Sequence, residues 1–322
     1  MSVNSTGRLA LVTGGAGFIG GHLVEGLLAA GWSVRVIDDL STGSEQNLAR
    51  VMDRIEFARG DIRDADTLER IMDGVEVVFH QAAMVSVPRS VAMPLLSNSI
   101  NIDGTLLVLE TARKSGVRRV VYAASSAVYG DSEVLPKVET LPAAPLSPYG
   151  LQKYAGEVYC RLYSELFGLE TVSLRYFNIF GPRQDPKSDY AAVIPCFVTA
   201  AIEGRPPVIY GDGEQTRDFI YVENAVQANL LAADAERASG CVINIAAGKR
   251  TSLNDLWQGI RKIVGTDLEA KYAAPREGDV RDSLADLTLA SDLLGYAPGV
   301  DLDVGLDRTI ASFRSQNTRE RS

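Results

Sequence analysis

The first half of the sequence alternates short β-branched runs with helical stretches, and this alternation constrains the fold more than any other feature. Five runs are typical of buried parallel strands: RLALVTG, SVRVID, IEFARGD, VEVVFHQA and RRVVYAAS. Between them, GGHLVEGLLAAG, DADTLERIMDG and SNSINIDGTLLVLETARKSG carry apolar residues at helical spacing and end in glycine. Such strand–helix alternation predicts an α/β fold with a doubly wound parallel sheet.

Two later runs, TVSLRYFNIFG and CVINIAAG, are predicted to be further strands of the same sheet. The intervening segment and the C-terminal stretch are richer in proline, glycine and charge, which indicates a smaller lobe interleaved with the sheet domain. We therefore predict a Rossmann domain over residues 1–178 plus about 221–250 and a substrate lobe over about 179–220 plus 251–314. Residues 315–322 are predicted to be a disordered tail.

Composition excludes several functional classes. Of 322 residues, 46% are hydrophobic, yet no run approaches the roughly 20 apolar residues of a membrane span, and the N-terminus lacks an apolar signal core. The three cysteines and two histidines are too few and too scattered to predict a disulfide framework or a metal site. A reducing cytoplasm is therefore the expected location, and the net charge of −9 argues against nucleic acid or an anionic membrane as partner.

The first strand is followed by a glycine-rich turn that opens a helix, the arrangement of a dinucleotide site. Gly14 permits the tight turn, Gly17 lets the backbone approach a pyrophosphate, and Gly20 lets the helix pack close to the strand. A glycine pattern alone is a weak signal, but here an acid, Asp38, ends the second strand. Its carboxylate can bind the adenosine ribose hydroxyls and would repel a 2′-phosphate, which favours NAD over NADP as the cofactor. The other contacts predicted in this region are Phe18, Ile19, Asp39, Ser41, Thr42, Gly43, Asp61 and Ile62.

A tyrosine and a lysine lie four residues apart on one predicted helix. Tyr149 has an ordinary pKa near about 10 and is a poor base alone, but the ammonium of Lys153 would favour its phenolate. By itself this pair also occurs on solvated helix faces. Ser125, at the end of the strand RRVVYAAS, adds a hydroxyl that could share the proton of a reacting oxygen. The three residues are predicted to be catalytic.

The GxxGxxG spacing and the order Ser125, Tyr149, Lys153 resemble the short-chain dehydrogenase/reductase superfamily, and the chain length and C-terminal lobe resemble its extended branch. The resemblance implies that further residues serve the cofactor. They are Gln81, Ala82 and Ala83 on the nicotinamide side, Asn101 as a brace of the central sheet, and Tyr176, and the resemblance also assigns Tyr149 and Lys153 to the cofactor.

Several segments also resemble the UDP-sugar 4-epimerases. Ser126-Ala127-Val128-Tyr129-Gly130 stands where nucleotide-sugar 4,6-dehydratases carry an Asp-Glu pair that drives water elimination. Two arginines, Arg217 and Arg276, lie in these segments and suit a diphosphate, since each guanidinium can bind oxygens bidentately. The resemblance implies substrate contacts from Ser86, Ser125, Ser126, Tyr149, Asn178, Ala192, Val193, Tyr210, Arg217, Arg276, Asp279 and Ser283.

The identity of the sugar follows from finer resemblance. Ser283 falls where epimerases restricted to UDP-glucose and UDP-galactose carry a tyrosine, so a small residue would leave room for a 2-N-acetyl group. Arg183-Gln184-Asp185-Pro186 and Ser86 resemble the N-acetylhexosamine-preferring group. We expect UDP-GlcNAc/UDP-GalNAc interconversion with some UDP-Glc/UDP-Gal activity.

Three alternatives remain open at this point. A UDP-uronic acid 4-epimerase and a nucleotide-sugar dehydratase or decarboxylase would use the same scaffold. A non-catalytic, NAD-sensing protein would tend to lose the tyrosine–lysine pair, which this chain retains. The resemblance further implies a homodimer that includes the helix carrying Tyr149, although apolar positions such as Val158 and Leu162 could equally be core.

Overall fold

The structure is a computed structural model that describes residues 7–186, 192–275 and 280–320, the last five without their side chains. Of the predicted site residues, Arg276 and Asp279 lie outside the described residues.

The N-terminal part of the chain follows the predicted alternation. Its strands are β1 (Leu9–Thr13), β2 (Ser33–Asp38), β3 (Ile55–Arg59), β4 (Val77–His80), β5 (Arg119–Ser125) and β6 (Glu170–Tyr176). Its helices are α1 (Phe18–Ala29), α2 (Ala65–Met72), α3 (Val87–Ala92), α4 (Pro94–Asn98), α5 (Gly104–Lys114) and α6 (Pro148–Phe167). A π-helical turn at Ser99–Asp103 joins α4 to α5.

The C-terminal part contains shorter strands. They are β7 (Asn178–Phe180), β8 (Val208–Tyr210), β9 (Thr216–Arg217), β10 (Phe219–Tyr221), β11 (Cys241–Ile245), β12 (Thr251–Ser252) and β13 (Lys271–Ala273). The helices are α7 (Val193–Ile202), α8 (Val222–Asp234), α9 (Leu253–Val264), α10 (Thr288–Leu294) and α11 (Leu302–Glu320). Helix α11 extends into residues 315–322, the segment for which the sequence predicts disorder.

Seven parallel strands form the central sheet in the order β11-β6-β5-β4-β1-β2-β3. Their near-continuous apolar runs are buried on both faces, as a doubly wound sheet requires. One core packs α1 and α8 against the sheet, and the other packs α2, α5 and α6 against the opposite face. The predicted Rossmann fold is therefore confirmed.

A separate apolar cluster joins α7, α9 and α11 with β7, β8 and β10. Three two-stranded pairings, β10 with β7, β12 with β9 and β13 with β8, accompany it. This is the region in which the sequence predicts the substrate lobe. In the part of the chain that the structure describes, no helix is both long enough and apolar enough to cross a bilayer.

Candidate active site

All strands of the central sheet run in the same direction, so their carboxyl ends meet at one edge. Residues at these ends include Asp38 on β2, Thr13 on β1, His80 on β4 and Ser125 on β5. From β2 to β5 is three strand spacings, about 14 Å at the usual separation of about 4.8 Å. That edge is where doubly wound sheets bind dinucleotides.

The glycine turn has the geometry that close approach of a pyrophosphate demands. Gly14 has a φ of +68°, and a Cβ there would lie 2.8 Å from the Cα of Ala82. A Cβ on Gly20 would lie 2.1 Å from the carbonyl oxygen of Gly14. The amides of Phe18 and Ile19 lie in the first turn of α1, where no helical carbonyl can accept them, and no side chain caps this end of the helix. They can therefore bind an anion. These residues fit the pyrophosphate of a dinucleotide.

Asp38 is buried beside this turn. Its Oδ2 accepts the amide of Ala16 at 2.9 Å and its Oδ1 accepts the amide of Leu40 at 2.9 Å. Burial raises the pKa of this carboxyl above its usual value, against the effect of the two amides. The carboxylate is thus held at the place where a ribose would follow the pyrophosphate.

The other predicted adenosine contacts lie nearby but differ in exposure. Asp39, Ser41 and Thr42 are exposed, and Asp39 accepts the amide of Ser41 at 2.8 Å. A Cβ on Gly43 would lie 3.0 Å from Asp38 Oδ1. Asp61 is ion-paired with Arg63, which lowers the pKa of Asp61. Ile62 is buried.

A directed chain of hydrogen bonds supports the loop that follows β4. The amide of Ala82 donates to Thr13 Oγ1 at 3.2 Å, and Thr13 lies 2.7 Å from His80 Nδ1. On the other side, His80 Nε2 lies 3.0 Å from Thr105 Oγ1, which donates to the carbonyl of Asn101 at 2.8 Å. Because Thr105 uses its proton on that carbonyl, His80 must donate from Nε2 and accept at Nδ1. Burial lowers the pKa of His80 to about 3, which keeps the ring neutral.

Asn101 is buried and braces this loop from the other side. Its Oδ1 accepts the amide of Met84 at 2.8 Å, and its Nδ2 donates to Gln152 Oε1 at 2.8 Å. Gln152 is on α6, so Asn101 ties the loop to the helix that carries Tyr149. Its side chain is already engaged by protein groups, which makes Asn101 a positioning residue.

Tyr176 closes the same edge from β6. Its hydroxyl accepts a hydrogen bond from Asn229 Nδ2 at 2.6 Å and another from Gln81 Nε2 at 3.2 Å. Gln81 and Ala83, like Ala82, are half-buried. The predicted nicotinamide-side residues are thus gathered at the ends of β4 and β6.

Helix α6 begins as the sequence predicts. Ser147 is its N-cap and accepts the amide of Gly150 at 3.1 Å, and Pro148 occupies the first turn. Tyr149 is thereby placed near Ser125, which ends β5. Burial raises the pKa of Tyr149 above its usual value, and the nearby hydroxyl of Ser125 works against that rise. Ser126 follows in a 3-10 turn and is half-buried.

Lys153 lies one helical turn beyond Tyr149 and is buried. Its Nζ donates to the carbonyl of Ala123 at 2.7 Å and lies 4.9 Å from the centroid of the Tyr122 ring. Burial lowers the pKa of Lys153 to about 8, so the amine is mostly charged at neutral pH. Helix α6 can approach β5 closely because Gly156 has no side chain. A Cβ at this position would lie only 2.2 Å from the Tyr122 hydroxyl. The predicted Ser125, Tyr149 and Lys153 therefore converge at the carboxyl end of β5.

The substrate residues predicted on the lobe occupy adjoining segments. The amide of Ser283 donates to the carbonyl of Thr216 at 3.1 Å, next to Arg217. Arg217 donates from Nη1 to the Arg281 carbonyl at 3.3 Å. Tyr210 lines a cleft of about 460 Å³ together with Gly211, Asp212, Gln215, Ala273, Pro275, Val280 and Arg281.

Four other predicted contacts lie on three separate elements. Asn178 is exposed at the start of β7, and Ala192 is the exposed N-cap of α7, followed by the half-buried Val193. Ser86 is the N-cap of α3, and its Oγ accepts the amide of Arg89 at 3.2 Å.

The sequence analysis missed Asp218, a fully buried carboxylate beside Arg217. Its Oδ1 accepts the amide of Ala247 at 2.9 Å, and its Oδ2 accepts those of Gly248 at 3.1 Å and Ala285 at 3.2 Å. Burial raises the pKa of Asp218 to about 6. The carboxylate fastens the strand that carries Arg217 to the segment that carries Ser283. The available signal was its position directly before the apolar run Phe219–Tyr221, since an acid in an apolar setting needs partners.

A second missed feature is a buried ion pair on the catalytic helix. Arg175 on β6 lies 2.7 Å from Glu157 on α6, and both side chains are at most 5% exposed. Truncating one partner of such a pair is strongly destabilising, because the other charge stays buried alone. The pair fixes α6 against the sheet two turns beyond Tyr149.

A Rossmann sheet with this glycine turn, an acid at the end of β2 and a Ser-Tyr-Lys set at the end of β5 defines an NAD-dependent short-chain dehydrogenase/reductase type of enzyme. The chain belongs to the NAD dependent epimerase/dehydratase family, whose profile matches residues 10–246. NAD is thus the cofactor, as the sequence predicts.

Individual relatives agree with this assignment. The chain is 41% identical over 311 residues to the UDP-glucose 4-epimerase of Mycolicibacterium smegmatis, covering 95% of this chain and 99% of that one. It superimposes with a TM-score of 0.93 on the UDP-N-acetylglucosamine 4-epimerase from Methanobrevibacter ruminantium in complex with UDP-N-acetylmuramic acid, at 42% identity over 96% of this chain and 99% of that chain. The Thermus thermophilus UDP-glucose 4-epimerase complex with NAD gives a TM-score of 0.86 at 36% identity over 95% of this chain and 99% of that chain. The resemblance to the extended branch and to its sugar-nucleotide epimerases is confirmed.

Proposed function

We propose that this enzyme inverts C4 of a UDP-hexose, with UDP-GlcNAc and UDP-GalNAc as its main pair and some activity on UDP-Glc and UDP-Gal. The observation that carries the proposal is the convergence of Ser125, Tyr149 and the buried Lys153 at the carboxyl end of β5, in a chain so similar to UDP-sugar 4-epimerases. An intact proton-transfer set favours catalysis over a purely NAD-sensing role.

The residues divide the chemistry among them. NAD supplies the acceptor, and later the donor, of the hydride exchanged with C4. Tyr149 takes the proton of the 4-hydroxyl and afterwards returns one to the 4-keto oxygen. Ser125 aligns that oxygen, and the ammonium of Lys153 favours the phenolate against the burial that raises the pKa of Tyr149.

Inversion requires the 4-keto sugar to turn over between the two hydride transfers while the nucleotide stays anchored. Arg217, on β9, is proposed to hold the diphosphate, with Arg276 as a second anchor. Tyr210 and the cleft beside it are proposed to take the uridine. Few polar contacts to the hexose itself would leave it free to rotate.

The sugar preference rests on Ser283. Its backbone is fixed by the hydrogen bond to Thr216. Ser283 belongs to the segment that Asp218, next to Arg217, holds through the amide of Ala285. A small residue there leaves room for a 2-N-acetyl group. A related epimerase crystallised with UDP-N-acetylmuramic acid, which carries such a group, supports the same preference.

We further propose a homodimer formed through α6. Leu151 is 55% exposed and Tyr154 is 37% exposed on this helix, and Leu166 and Phe167 are exposed at its end. Val158 and Leu162 are half-buried between them. Light scattering coupled to gel filtration tests the mass, and a monomer would exclude the dimer.

The deciding experiment is incubation of the purified protein with a panel of UDP-sugars, without added cofactor. The panel contains UDP-GlcNAc, UDP-Glc and UDP-glucuronate, and the C4 epimers are resolved by chromatography and their masses measured. We expect unchanged mass and faster conversion of UDP-GlcNAc than of UDP-Glc. Loss of water or carbon dioxide would make the enzyme a lyase, and conversion of UDP-glucuronate alone would make it a uronic acid epimerase.

A further inference from the structure

Arg183 adopts a backbone conformation that non-glycine residues rarely take. Its φ is +68°, in the left-handed region, on the loop that follows β7. Such a conformation is unfavourable for a residue with a Cβ and persists only where the surroundings hold it. The contacts of its side chain therefore have to provide the compensation.

The Arg183 side chain points at the cofactor domain, towards α1. Its guanidinium binds the Glu25 carboxylate bidentately, at 2.7 and 3.1 Å. Nη1 also donates to the Asn47 carbonyl at 2.7 Å, and Nη2 to His22 Nδ1 at 3.0 Å. One side chain thus joins the loop after β7 to α1 and to the segment that follows β2.

His22 secures the same loop in a second direction. Arginine only donates hydrogen bonds, so His22 Nδ1 must accept and its Nε2 carries the proton. That Nε2–H donates to the carbonyl of Pro182 at 3.0 Å. Burial and the charge of Arg183 lower the pKa of His22, which keeps the ring in this neutral form. Arg183 and Pro182 are therefore both tied to α1.

Asn47 carries the connection onward to the glycine turn. Its side-chain amide donates to the carbonyl of Ala16 at 2.8 Å, and the amide of Ser44 donates to the same oxygen at 3.0 Å. Ala16 in turn donates its own amide to Asp38. The Ser44–Asn47 segment is thus fastened at one end to the dinucleotide turn and at the other to Arg183.

We propose that Arg183 is a latch that slows release of NAD. By holding the Ser44–Asn47 segment and α1 together, Arg183 keeps in place the loop that follows Asp38, the acid predicted to bind the ribose. A firm hold is useful to an enzyme in which the hydride removed from a substrate must return to it, since loss of the reduced cofactor would strand the oxidised sugar. The proposal concerns NAD and holds for any sugar that the enzyme uses.

The test measures how fast bound cofactor leaves the protein. Purified protein is loaded with radiolabelled NAD, chased with excess unlabelled NAD, and the retained label is followed with time. We expect Arg183→Ala to release NAD at least tenfold faster than the wild type. Arg183→Gly should release it equally fast, because it relieves the backbone strain but also lacks the guanidinium. Retention by Arg183→Gly at the wild-type rate would overturn the proposal.

Arg35 offers a matched control within the same domain. Its side chain is 21% exposed, against 19% for Arg183, and it also pairs with a glutamate, Glu56, and donates to backbone carbonyls. Arg35→Ala should therefore destabilise the fold without changing NAD release. Equal acceleration in both variants would overturn the latch, because it would indicate general loosening.

A milder variant keeps the proposal testable if Arg183→Ala fails to fold. Glu25→Gln retains the shape of the carboxylate but weakens the charged pair, and we expect about threefold faster release. An unchanged rate in Glu25→Gln would contradict the latch. Binding of UDP to the cofactor-loaded variants, measured by calorimetry, should stay at the wild-type affinity, which separates this result from any failure of the proposed sugar chemistry.

Discussion

The two ends of the site are built differently. On the cofactor side, polar groups already satisfy one another: Asp38 is held by amides, and His80 and Tyr176 lie in closed hydrogen-bond chains. On the proposed sugar side, Arg217 lies half-buried on the short strand β9, and one carboxylate, Asp218, holds it to the segment that carries the half-buried Ser283. A rigid cofactor site beside a lightly built site proposed for the substrate suits a reaction in which one partner stays fixed and the other turns over.

Removing the phenol is the strongest way to test this contrast. Tyr149→Phe should lower kcat by about 10³-fold or more, since general acid–base transfer contributes typically 10²–10⁴-fold. Affinity for UDP, measured by calorimetry, should stay within about twofold, because Tyr149 lies beside the central sheet whereas the proposed UDP contacts lie on the lobe. Full activity in the variant would remove Tyr149 from the chemistry.

The sugar side is tested by filling it. Ser283→Tyr should reduce kcat/KM for UDP-GlcNAc at least about tenfold more than for UDP-Glc, the scale of a misfitting group in a pocket. Ser283→Ala is the control, because it keeps the residue small and should preserve the ratio. Equal losses on both substrates in Ser283→Tyr would mean that Ser283 does not select the sugar.

The carboxylate that organises the lobe should act on binding more than on chemistry. In Asp218→Asn one oxygen becomes an amide that faces N–H donors, so either Ala247 or both Gly248 and Ala285 lose their acceptor. We expect KM for the UDP-sugar to rise about tenfold with kcat changed less than threefold. Asp286→Asn, on the same segment, serves as control, and a kcat loss as large as the KM change would contradict the assignment.

The smallest expected effect concerns the charge of Lys153. Its pKa of about 8 in the folded protein lies below the ordinary lysine value, so the unfolded chain binds more protons between about pH 8 and 10.5. The cost of burying the ammonium is therefore present below pH 8 and declines as the pH rises. In cofactor-free protein, the Tm of the wild type relative to Lys153→Met should rise by about 2–4 °C from pH 7.5 to 10.

Lys262→Met is the control for that series, because Lys262 is exposed on α9. Its Tm difference from the wild type should not change across the same pH range. A constant difference for Lys153→Met as well would mean that burial does not perturb the amine.

Much of the sheet domain could be predicted because its signals are local. The buried strands appear in the sequence as β-branched runs. Gly14 and Gly20 indicate a turn with no space for a side chain, and Ser147-Pro148 indicates the start of α6. The order of Ser125, Tyr149 and Lys153 predicted that they converge, and the structure brings them to one edge of the sheet.

The remaining features depend on contacts between segments far apart in sequence. Asp218 meets Ala247 and Ala285, and Arg183 meets Glu25 across nearly half the chain, and no periodicity encodes such meetings. Arg183 illustrates the limit: the sequence analysis noted it only within a run that resembles the N-acetylhexosamine-preferring group, and its contact with Glu25 on α1 is visible only in the structure. Helix α11 likewise extends to Glu320 into a segment whose polar composition suggested disorder.

The strand order has a consequence for how the protein is made. Strand β6 is complete at Tyr176, yet its outer neighbour β11 begins only at Cys241, so a nascent chain emerging from the ribosome exposes an unprotected sheet edge during that interval. Pairing of β13 with β8 comes later still. Co-translational folding should therefore finish with the lobe, and truncated chains ending before β11 should be prone to aggregate.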